Sequence, residues 1–388
     1  MNHSRHNKTP GSDEPVQGFE QSLVARVREM IAQAGGAVDF SEFMQCALYE
    51  PGLGYYMAGL RKFGPEGDFV TAPEMGDLFG RCLARQCAEV LDTLSGGDML
   101  EFGAGSGLLC AQLLAALDER GVLPDRYCIL ELSPDLRERQ RNTILEHCPG
   151  LLECCQWLDR LPDDFKGIVV ANEVLDAMPV GRFRVTEFGI EIIQVSWSGD
   201  AFRETSRPAE DDEVPEIMDK DLPTGYESEI GVMAQRWVSE IGNWLRRGVV
   251  LIIDYGFPAH EFYHPQRRRG TLMCHYRHKA HPDPYRHIGT QDITAHLDFS
   301  ALAHKADQAG LDVLGFTHQG AFLLSLGMLD LAKADIETSS RNHWALSQQV
   351  QRLTQSHEMG ELFKVLALGR DYPGELTGFQ YLDHRARL

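Results

Sequence analysis

The segment 99–109, MLEFGAGSGLL, constrains the fold more than any other part of the chain. It predicts a short apolar strand, a tight turn with Gly103, Gly105 and Gly107, and the start of an apolar helix. Glycine has no Cβ atom, so a ligand can lie against such a turn, where the free N–H groups of the helix also point. The spacing is G-x-G-x-G and differs from the dinucleotide fingerprint G-x-G-x-x-G. The segment therefore indicates a ligand-binding α/β unit, with a purely structural glycine turn as the alternative.

Strands and helices alternate in the residues that follow. Apolar strands are predicted at 99–102, 127–132, 168–171 and 249–255, and helices at 108–117 and 135–147. The strand at 168–171 is apolar on both faces, which is typical of a parallel sheet covered by helices on both sides. The pattern predicts the α/β class, with a doubly wound, Rossmann-like sheet.

The flanking regions predict further elements around this sheet. We expect a disordered tail over 1–18, an N-terminal helical cap over 19–96 and a main domain over 97–388. Within the main domain, residues of about 182–226 predict an inserted hairpin and acidic linker, and 227–246 predict a helix. The stretch 257–291 predicts a long loop. Its arginines at 267–269 belong to a lid, to a partner contact or simply to a solvated loop.

Charge and composition limit the class of partner. The 388 residues include 37 Lys and Arg against 57 Asp and Glu, so the formal net charge is −20. A surface this acidic repels phosphate backbones, which excludes nonspecific nucleic-acid binding. No apolar run is long enough to cross a bilayer and no secretory leader is recognisable, so we expect a cytoplasmic protein without membrane insertion. Nine cysteines without a C-x-x-C pair indicate reduced thiols and no metal site.

Acidic residues stand beside the glycine turn in the predicted sheet. Glu101 precedes the turn, and Glu131 and Leu132 end the next strand, 24 positions after Gly107. An acid at that strand end accepts hydrogen bonds from both ribose hydroxyls of a bound nucleoside. Strand, glycine turn, helix, strand and acid together resemble the core of the class I S-adenosylmethionine (SAM) methyltransferases.

A second group of polar residues follows the strand at 168–171. Asn172 and Glu173 lie where open α/β sheets place their ligands, and Asp176 is one helical turn further on. Two carboxylates and an amide can thus face one pocket. The alternative is a capped helix start with ordinary acids in its first turn. Asp254 ends the strand at 249–255 and has the same two interpretations.

Longer segments resemble one family, the MidA-like SAM-dependent methyltransferases, which includes the mitochondrial complex I assembly arginine methyltransferase and its bacterial relatives. The resemblance covers the chain after the tail and is carried by 67–80, 100–107, 130–140, 171–180, 253–257, 289–300 and 363–370. It implies a class I methyltransferase fold, SAM as cofactor, and methylation of an arginine on a subunit of respiratory complex I or a similar protein. A SAM-binding assembly factor without turnover and a small-molecule methyltransferase are the alternatives.

The resemblance also implies roles for individual residues. The positions implied to hold SAM are Gly103, Gly105, Gly107, Glu131, Asp68, Phe69, Thr71 and Asn172, and Glu101 and Leu132 are predicted to bind it from their places beside the glycine turn and Glu131. Asn172 and Glu173 match the acidic motif of the family at the mouth of the active site, and Asp176 or Asp254 is predicted from its position as a second carboxylate that acts on the acceptor. Glu173 would orient a cationic guanidinium group, and a second carboxylate would accept the proton lost around the transfer. The expected partner is a protein with a basic, arginine-containing segment.

Overall fold

The computed structural model of the chain describes residues 14–57, 71–210, 213–214, 222–338 and 343–388. The helices of the described residues are α1 (Glu14–Gln33), α2 (Phe40–Tyr49), α3 (Leu78–Leu94), α4 (Leu108–Glu119), α5 (Pro134–His147), α6 (Val232–Trp244), α7 (Ala259–Phe262), α8 (Phe299–Gln308), α9 (Gln319–Ser325), α10 (Met328–Thr338), α11 (His343–Thr354) and α12 (Met359–Leu362). None of them is long and apolar enough to cross a membrane.

The strands of the described residues form three sheets. They are β1 (Ala37–Asp39), β2 (Asp98–Phe102), β3 (Tyr127–Leu130), β4 (Cys155–Leu158), β5 (Phe165–Asn172), β6 (Gly181–Thr186), β7 (Gly189–Ser198), β8 (Ala201–Pro208), β9 (Glu227–Ile230), β10 (Leu245–Phe257), β11 (Met273–Tyr276), β12 (Lys279–His281), β13 (Asp292–Thr294), β14 (Leu297–Asp298), β15 (Asp312–His318) and β16 (Phe363–Arg370). All strands predicted from the alternating pattern are present, with ends that differ by a few residues.

The central sheet has the strand order β15-β16-β10-β5-β2-β3-β4, with β14 beside β10. Strands β10, β5, β2, β3 and β4 are parallel, and β16 runs antiparallel between β10 and β15. Residues 168–171 of β5 are fully buried and alternate between two cores. Ile168 and Val170 face the core with α3 and α4, and Val169 and Ala171 face the core with α6 and α8. The predicted doubly wound class I fold is therefore confirmed.

The predicted insertion of about 182–226 builds most of a second sheet. Its order is β1-β7-β6-β9, with β8 paired to β7. Strands β6 and β7 form the predicted hairpin, closed by the pair Thr186 and Gly189. The predicted helix over 227–246 is wrong at its start, because residues 227–230 form β9 and pair with β6. The buried Glu229 carboxylate accepts hydrogen bonds from Thr271 N (2.9 Å) and Thr271 Oγ1 (3.0 Å), which favours the extended conformation there.

The N-terminal elements divide between the two sheets. Helix α1 begins at Glu14, five residues before the predicted start, so residues 14–18 of the predicted tail are helical. The first helical turn contains Pro15, which a helix tolerates there because its missing N–H needs no partner. Strand β1 pairs with β7 of the insertion, whereas α3 packs on the central sheet. The predicted cap over 19–96 thus contributes to both layers.

The predicted loop over 257–291 contains regular structure. Helix α7 follows β10, and β11 forms a hairpin with β12 and also pairs with β13. Arg277 and His278 form the hairpin turn with positive φ angles of 48° and 61°. The prediction of a loop is wrong here because strands of three or four residues are too short to show a periodicity.

Candidate functional site

A cavity of about 590 Å³ opens at the carboxyl ends of the parallel strands. Residues that follow β2, β3 and β5 line one side, and residues of α2, β11 and β13 and the chain after β13 line the other. This is the edge at which open α/β sheets bind ligands. The residues that line the cavity include Tyr49, Tyr56, Met57, Thr71, Glu74, Glu101, Gly103, Gly105, Glu131, Leu132, Asn172, Glu173, Asp176, Met273, His275, Asp292, His296 and Leu362.

The glycine turn lies between β2 and α4 and needs its glycines. Gly103, Gly105 and Gly107 have φ angles of 64°, 49° and 83°, in the left-handed region that favours glycine. A Cβ atom on Gly103 would lie 2.7 Å from Val174 Cγ2, and one on Gly107 would lie 2.8 Å from Gln140 Cα. Gly103 and Gly105 line the cavity, whereas Gly107 lies behind it and allows α5 to approach.

Glu131 and the glycine turn are joined by Gln140, a residue that the sequence analysis missed. The Gln140 side chain is fully buried, and its Nε2 donates to Glu131 Oε2 and to Gly105 O, each at 3.2 Å. Its Oε1 accepts from Trp157 Nε1 at 2.8 Å. Glu131 Oε1 also accepts from Ser133 N at 2.9 Å. These bonds fix the carboxylate, and its remaining lone pairs can accept two more donors.

Glu101 and Leu132 lie at opposite extremes of exposure on the wall of the cavity. Glu101 is buried and accepts a hydrogen bond from the Tyr127 hydroxyl at 2.7 Å. Burial raises the pKa of Glu101 to about 7, although the Tyr127 bond lowers it in part. Leu132 is 67% exposed, and this apolar surface next to Glu131 suits a flat ring.

Asn172 ends β5 and Glu173 follows it, and both side chains line the cavity. Glu173 adopts a left-handed conformation with φ 54°, and its N–H donates to Ile253 O at 2.9 Å. Its Oε1 accepts from Asn172 Nδ2 at 3.2 Å. Asn172 Oδ1 is buried and has no donor within the described part of the chain. Burial, followed by the charge of Asp254, raises the pKa of Glu173 to about 8.

Asp176 and Asp292 form a second acidic group in the cavity. Both are buried, and burial together with the Asp254 and Asp292 charges raises the pKa of Asp176 well above its ordinary value. Asp292 Oδ1 accepts from the Tyr56 hydroxyl at 2.9 Å. Asp292 was not predicted as a site residue, although it lies in the segment 289–300 that carries part of the family resemblance. The Tyr49 ring stacks on Tyr56, with 5.4 Å between the ring centroids.

Asp254 does not line the cavity. It is fully buried at the end of β10, and its Oδ2 accepts from Leu175 N (2.9 Å) and Asp176 N (3.2 Å). Its Oδ1 accepts from Tyr255 N at 2.9 Å. The capping alternative therefore describes this residue, because both oxygens are committed to backbone N–H groups. Asp254 positions the turn that carries Asp176 and does not reach a ligand itself.

Three further predicted positions concern the segment before α3. Asp68 and Phe69 lie outside the described residues, and Thr71 lines the cavity. Tyr56 also lines it, whereas its neighbour Tyr55 is buried in the core around α1 and α2.

The arrangement fits a SAM molecule at the β2–β3 side. Glu131 offers fixed acceptors for ribose hydroxyls, Leu132 offers an apolar surface for a base, and the glycine turn leaves backbone accessible. The buried Asn172 Oδ1 offers an acceptor that a ligand donor can satisfy. Glu173, Asp176 and Asp292 also line the cavity.

Comparisons with known proteins agree with this site. The family model described as "Putative S-adenosyl-L-methionine-dependent methyltransferase" matches residues 82–317. A Burkholderia thailandensis crystal structure bound to S-adenosyl-homocysteine is 43% identical, has a TM-score of 0.94, and covers 98% of this chain and 100% of its own. The protein arginine methyltransferase NDUFAF7 homolog, mitochondrial, of Drosophila melanogaster is 27% identical over 95% of this chain and 89% of its own. The Bos taurus protein arginine methyltransferase NDUFAF7, mitochondrial, is 29% identical over 92% and 85%.

These findings confirm the predicted family, fold and cofactor. The family model spans well over half of the chain, and the similar crystal structure carries the demethylated product of SAM. The chain therefore belongs to this family of SAM-dependent methyltransferases.

Proposed function

We propose that this methyltransferase transfers the methyl group of SAM to an arginine side chain of a protein. The observation that carries the proposal is the number of carboxyl groups in the cavity wall. Six carboxylates line it, and no Lys or Arg stands among the described lining residues. The six are Glu74, Glu101, Glu131, Glu173, Asp176 and Asp292. A guanidinium ion matches such a wall, because carboxylates bind it by paired, charge-assisted hydrogen bonds.

The rim of the cavity supports a protein acceptor over a small molecule. Met57, Met273 and Leu362 line the mouth and are 36%, 37% and 45% exposed. Apolar side chains around an acidic pocket suit a polypeptide that inserts one cationic side chain and rests its neighbours on the rim. The relatives named protein arginine methyltransferases, at 27% and 29% identity, support the same acceptor class. A subunit of respiratory complex I is the acceptor that the family resemblance favours.

The reaction needs orientation more than acid–base power. SAM supplies a methyl group bonded to a sulfonium sulfur, which leaves as a neutral thioether. Glu173, whose side chain lines the cavity, would hold the guanidinium so that one nitrogen lies in line with that methyl group. Asp292, fixed by Tyr56, would bind the far side of the same ion. Asp176 in its ionised form would accept the proton that the nitrogen loses, and its raised pKa makes it a stronger base than an exposed aspartate.

The proposal is tested by measuring methylation of arginine peptides by mass spectrometry, with SAM binding measured separately by calorimetry. We expect Asp292→Asn to lower kcat/KM by about 10²-fold, because it removes a buried charge that faces the guanidinium, and to leave SAM affinity unchanged. The exposed Glu240→Gln, on α6, is the matched control. Methylation of lysine, or of small molecules only, with intact SAM binding would overturn the proposal.

A further inference from the structure

The wall of the cavity continues into a basic surface. Strand β11 contributes Met273 and His275 to the cavity, and the chain then turns at Arg277 and His278 into β12. The described segment 264–287 contains six Lys and Arg residues and a single acid, Asp283, in a protein whose net charge is −20. We call Arg277, Lys279, His281, Arg286 and His287 the basic hairpin.

Arg277, His281, Arg286 and His287 lie together around a pair of stacked rings. The Tyr276 and His287 rings lie 3.9 Å apart at 9°. The Arg277 guanidinium lies 5.2 Å from the Tyr276 centroid, and the His281 ring lies 6.3 Å from His287. The pKa of His287 is lowered, mainly by burial. The nearby charges of Arg286, His281 and Arg277 lower it further, whereas the charge of Glu20 on α1 raises it.

The cluster is accessible and is fixed to the cavity. Arg277, Lys279 and Arg286 are exposed, and the backbone of the hairpin is paired to β13, which contains Asp292. Basic residues that only contact solvent could lie anywhere on the surface of the protein. Here the positive charges lie next to the mouth of the site and are held there by its own wall.

We propose that the basic hairpin binds a carboxylate-rich segment of the acceptor protein next to the arginine in the cavity, an inference that rests on the proposed function. The acceptor is then bipolar, since its cation enters the acidic cavity while its acids contact the hairpin. Arg277 is the first residue after β11 and lies two residues beyond His275, so at about 3.3 Å per residue the two are at most about 7 Å apart along the chain. An extended acceptor spans that distance with two residues, which places its acids about two to four positions from the arginine.

The test uses two synthetic peptides that share one arginine. The first has Asp and Glu at two to four positions from the arginine, and the second has Ser and Gln there. Binding is measured by fluorescence anisotropy in the presence of S-adenosyl-homocysteine, and kcat and KM are measured with SAM. We expect the acidic peptide to bind about tenfold more tightly, through KM and with kcat unchanged, and to lose this advantage at high salt.

Charge reversal on the hairpin provides the variant. We expect Arg277→Glu with Lys279→Glu to abolish the preference and to leave the affinity for SAM and for the neutral peptide unchanged. Arg246→Glu with Arg247→Glu is the matched control, because both arginines are exposed at the opposite end of β10.

The two arms separate this inference from the proposed function. Binding without methylation of either peptide would overturn arginine methylation and leave the docking result standing. Equal affinity for both peptides, or a variant that weakens both equally, would overturn the basic hairpin as the docking surface. An RNA oligonucleotide of equal charge that binds more tightly than the acidic peptide, and loses binding in the variant, would also overturn it, because the surface would then select phosphates.

Discussion

Glu173 has a disfavoured backbone conformation, and the pKa of its carboxyl group is raised. A non-glycine residue with φ 54° costs about 1 kcal/mol, and such residues concentrate at functional sites. The conformation is held by the hydrogen bond from Glu173 N to Ile253 O, and it places the carboxylate beside Asn172. The strained residue therefore lies where the proposed reaction needs a fixed anion.

Replacement of Glu173 separates cofactor binding from turnover. We expect Glu173→Gln to lower kcat/KM for an arginine peptide by about 10²- to 10⁴-fold, because the charge that orients the guanidinium is lost. Asn172 still finds an acceptor in the amide, so the local geometry and SAM affinity are retained. Steady-state kinetics and calorimetric titration check this result. Turnover at the wild-type rate would remove Glu173 from the mechanism.

The raised pKa of Glu173 also predicts a pH profile. In the free enzyme this carboxyl has a pKa of about 8 and is largely protonated at neutral pH. Only the ionised form attracts the guanidinium, so kcat/KM is expected to increase as the pH rises through about 8. The measurement is kcat/KM from weakly acidic to alkaline pH in wild type and in Glu173→Gln. A flat wild-type profile would contradict the assignment.

Individual residues were predictable only where the local motif fixes their surroundings. Glu131 follows directly from strand, turn and strand, and it lies where predicted. Asp254 and Asp292 are both acids in strands beside the site, yet only Asp292 faces the cavity. The difference arises because the N–H groups of Leu175 and Asp176 donate hydrogen bonds to the Asp254 carboxylate. These two residues lie 79 and 78 positions before Asp254 in the chain. No local pattern contains that information.

At the scale of elements, the glycine turn carries the clearest prediction. Gly105 has φ 49° and lines the cavity, so Gly105→Val is expected to abolish binding of SAM and S-adenosylhomocysteine. Gly121, just after α4, has φ 68° with open space around it, so Gly121→Val is the matched control. Both variants lose roughly 1–2 kcal/mol of stability from the left-handed backbone, and calorimetry distinguishes them. Binding retained in Gly105→Val would mean that the turn is structural.

The sequence predicted elements well where they are long and periodic. The strands of the parallel sheet and helices α4 and α5 were found because their apolar residues recur at the spacing of each element. Strands β9, β11 and β12 were missed because none of them is longer than four residues. Strands β9 and β11 also pair with β6 and β13, which are distant in sequence. Of the second sheet only the β6–β7 hairpin was predicted, because β1 and β9 have three and four residues and pair with strands distant in sequence.

The whole molecule contains several carboxyl groups whose pKa is raised by burial. Glu101 and Asp254 have pKa values of about 7, and Glu173 of about 8. Unfolding returns each to its ordinary acidic value, so the folded protein binds more protons at neutral pH. Stability from these groups is complete below the unfolded pKa and is lost as the pH rises through about 7 to 8.

Thermal unfolding of the SAM-free protein tests this linkage. We expect a lower Tm at pH 8 than at pH 6, and a smaller difference in Glu101→Gln, because Glu101, with a folded pKa of about 7, alone contributes roughly 1 kcal/mol to the change over this interval. Glu240→Gln on the surface is expected to follow wild type. A Tm that rises over this interval would show that the buried groups are ionised in the folded protein.

The pairing of β1 with β7 has a consequence for synthesis of the chain on the ribosome. Asp39 lies opposite Gln194, 155 residues later. At about 5–20 residues per second, roughly 8 to 30 s pass between the emergence of the two strands. During that interval Leu23, Val27 and Ile31 of α1 cannot pack into their final core, because that core includes Val195 of β7. The apolar face of nascent α1 is therefore exposed until β7 has been made, and slower translation would lengthen that exposure.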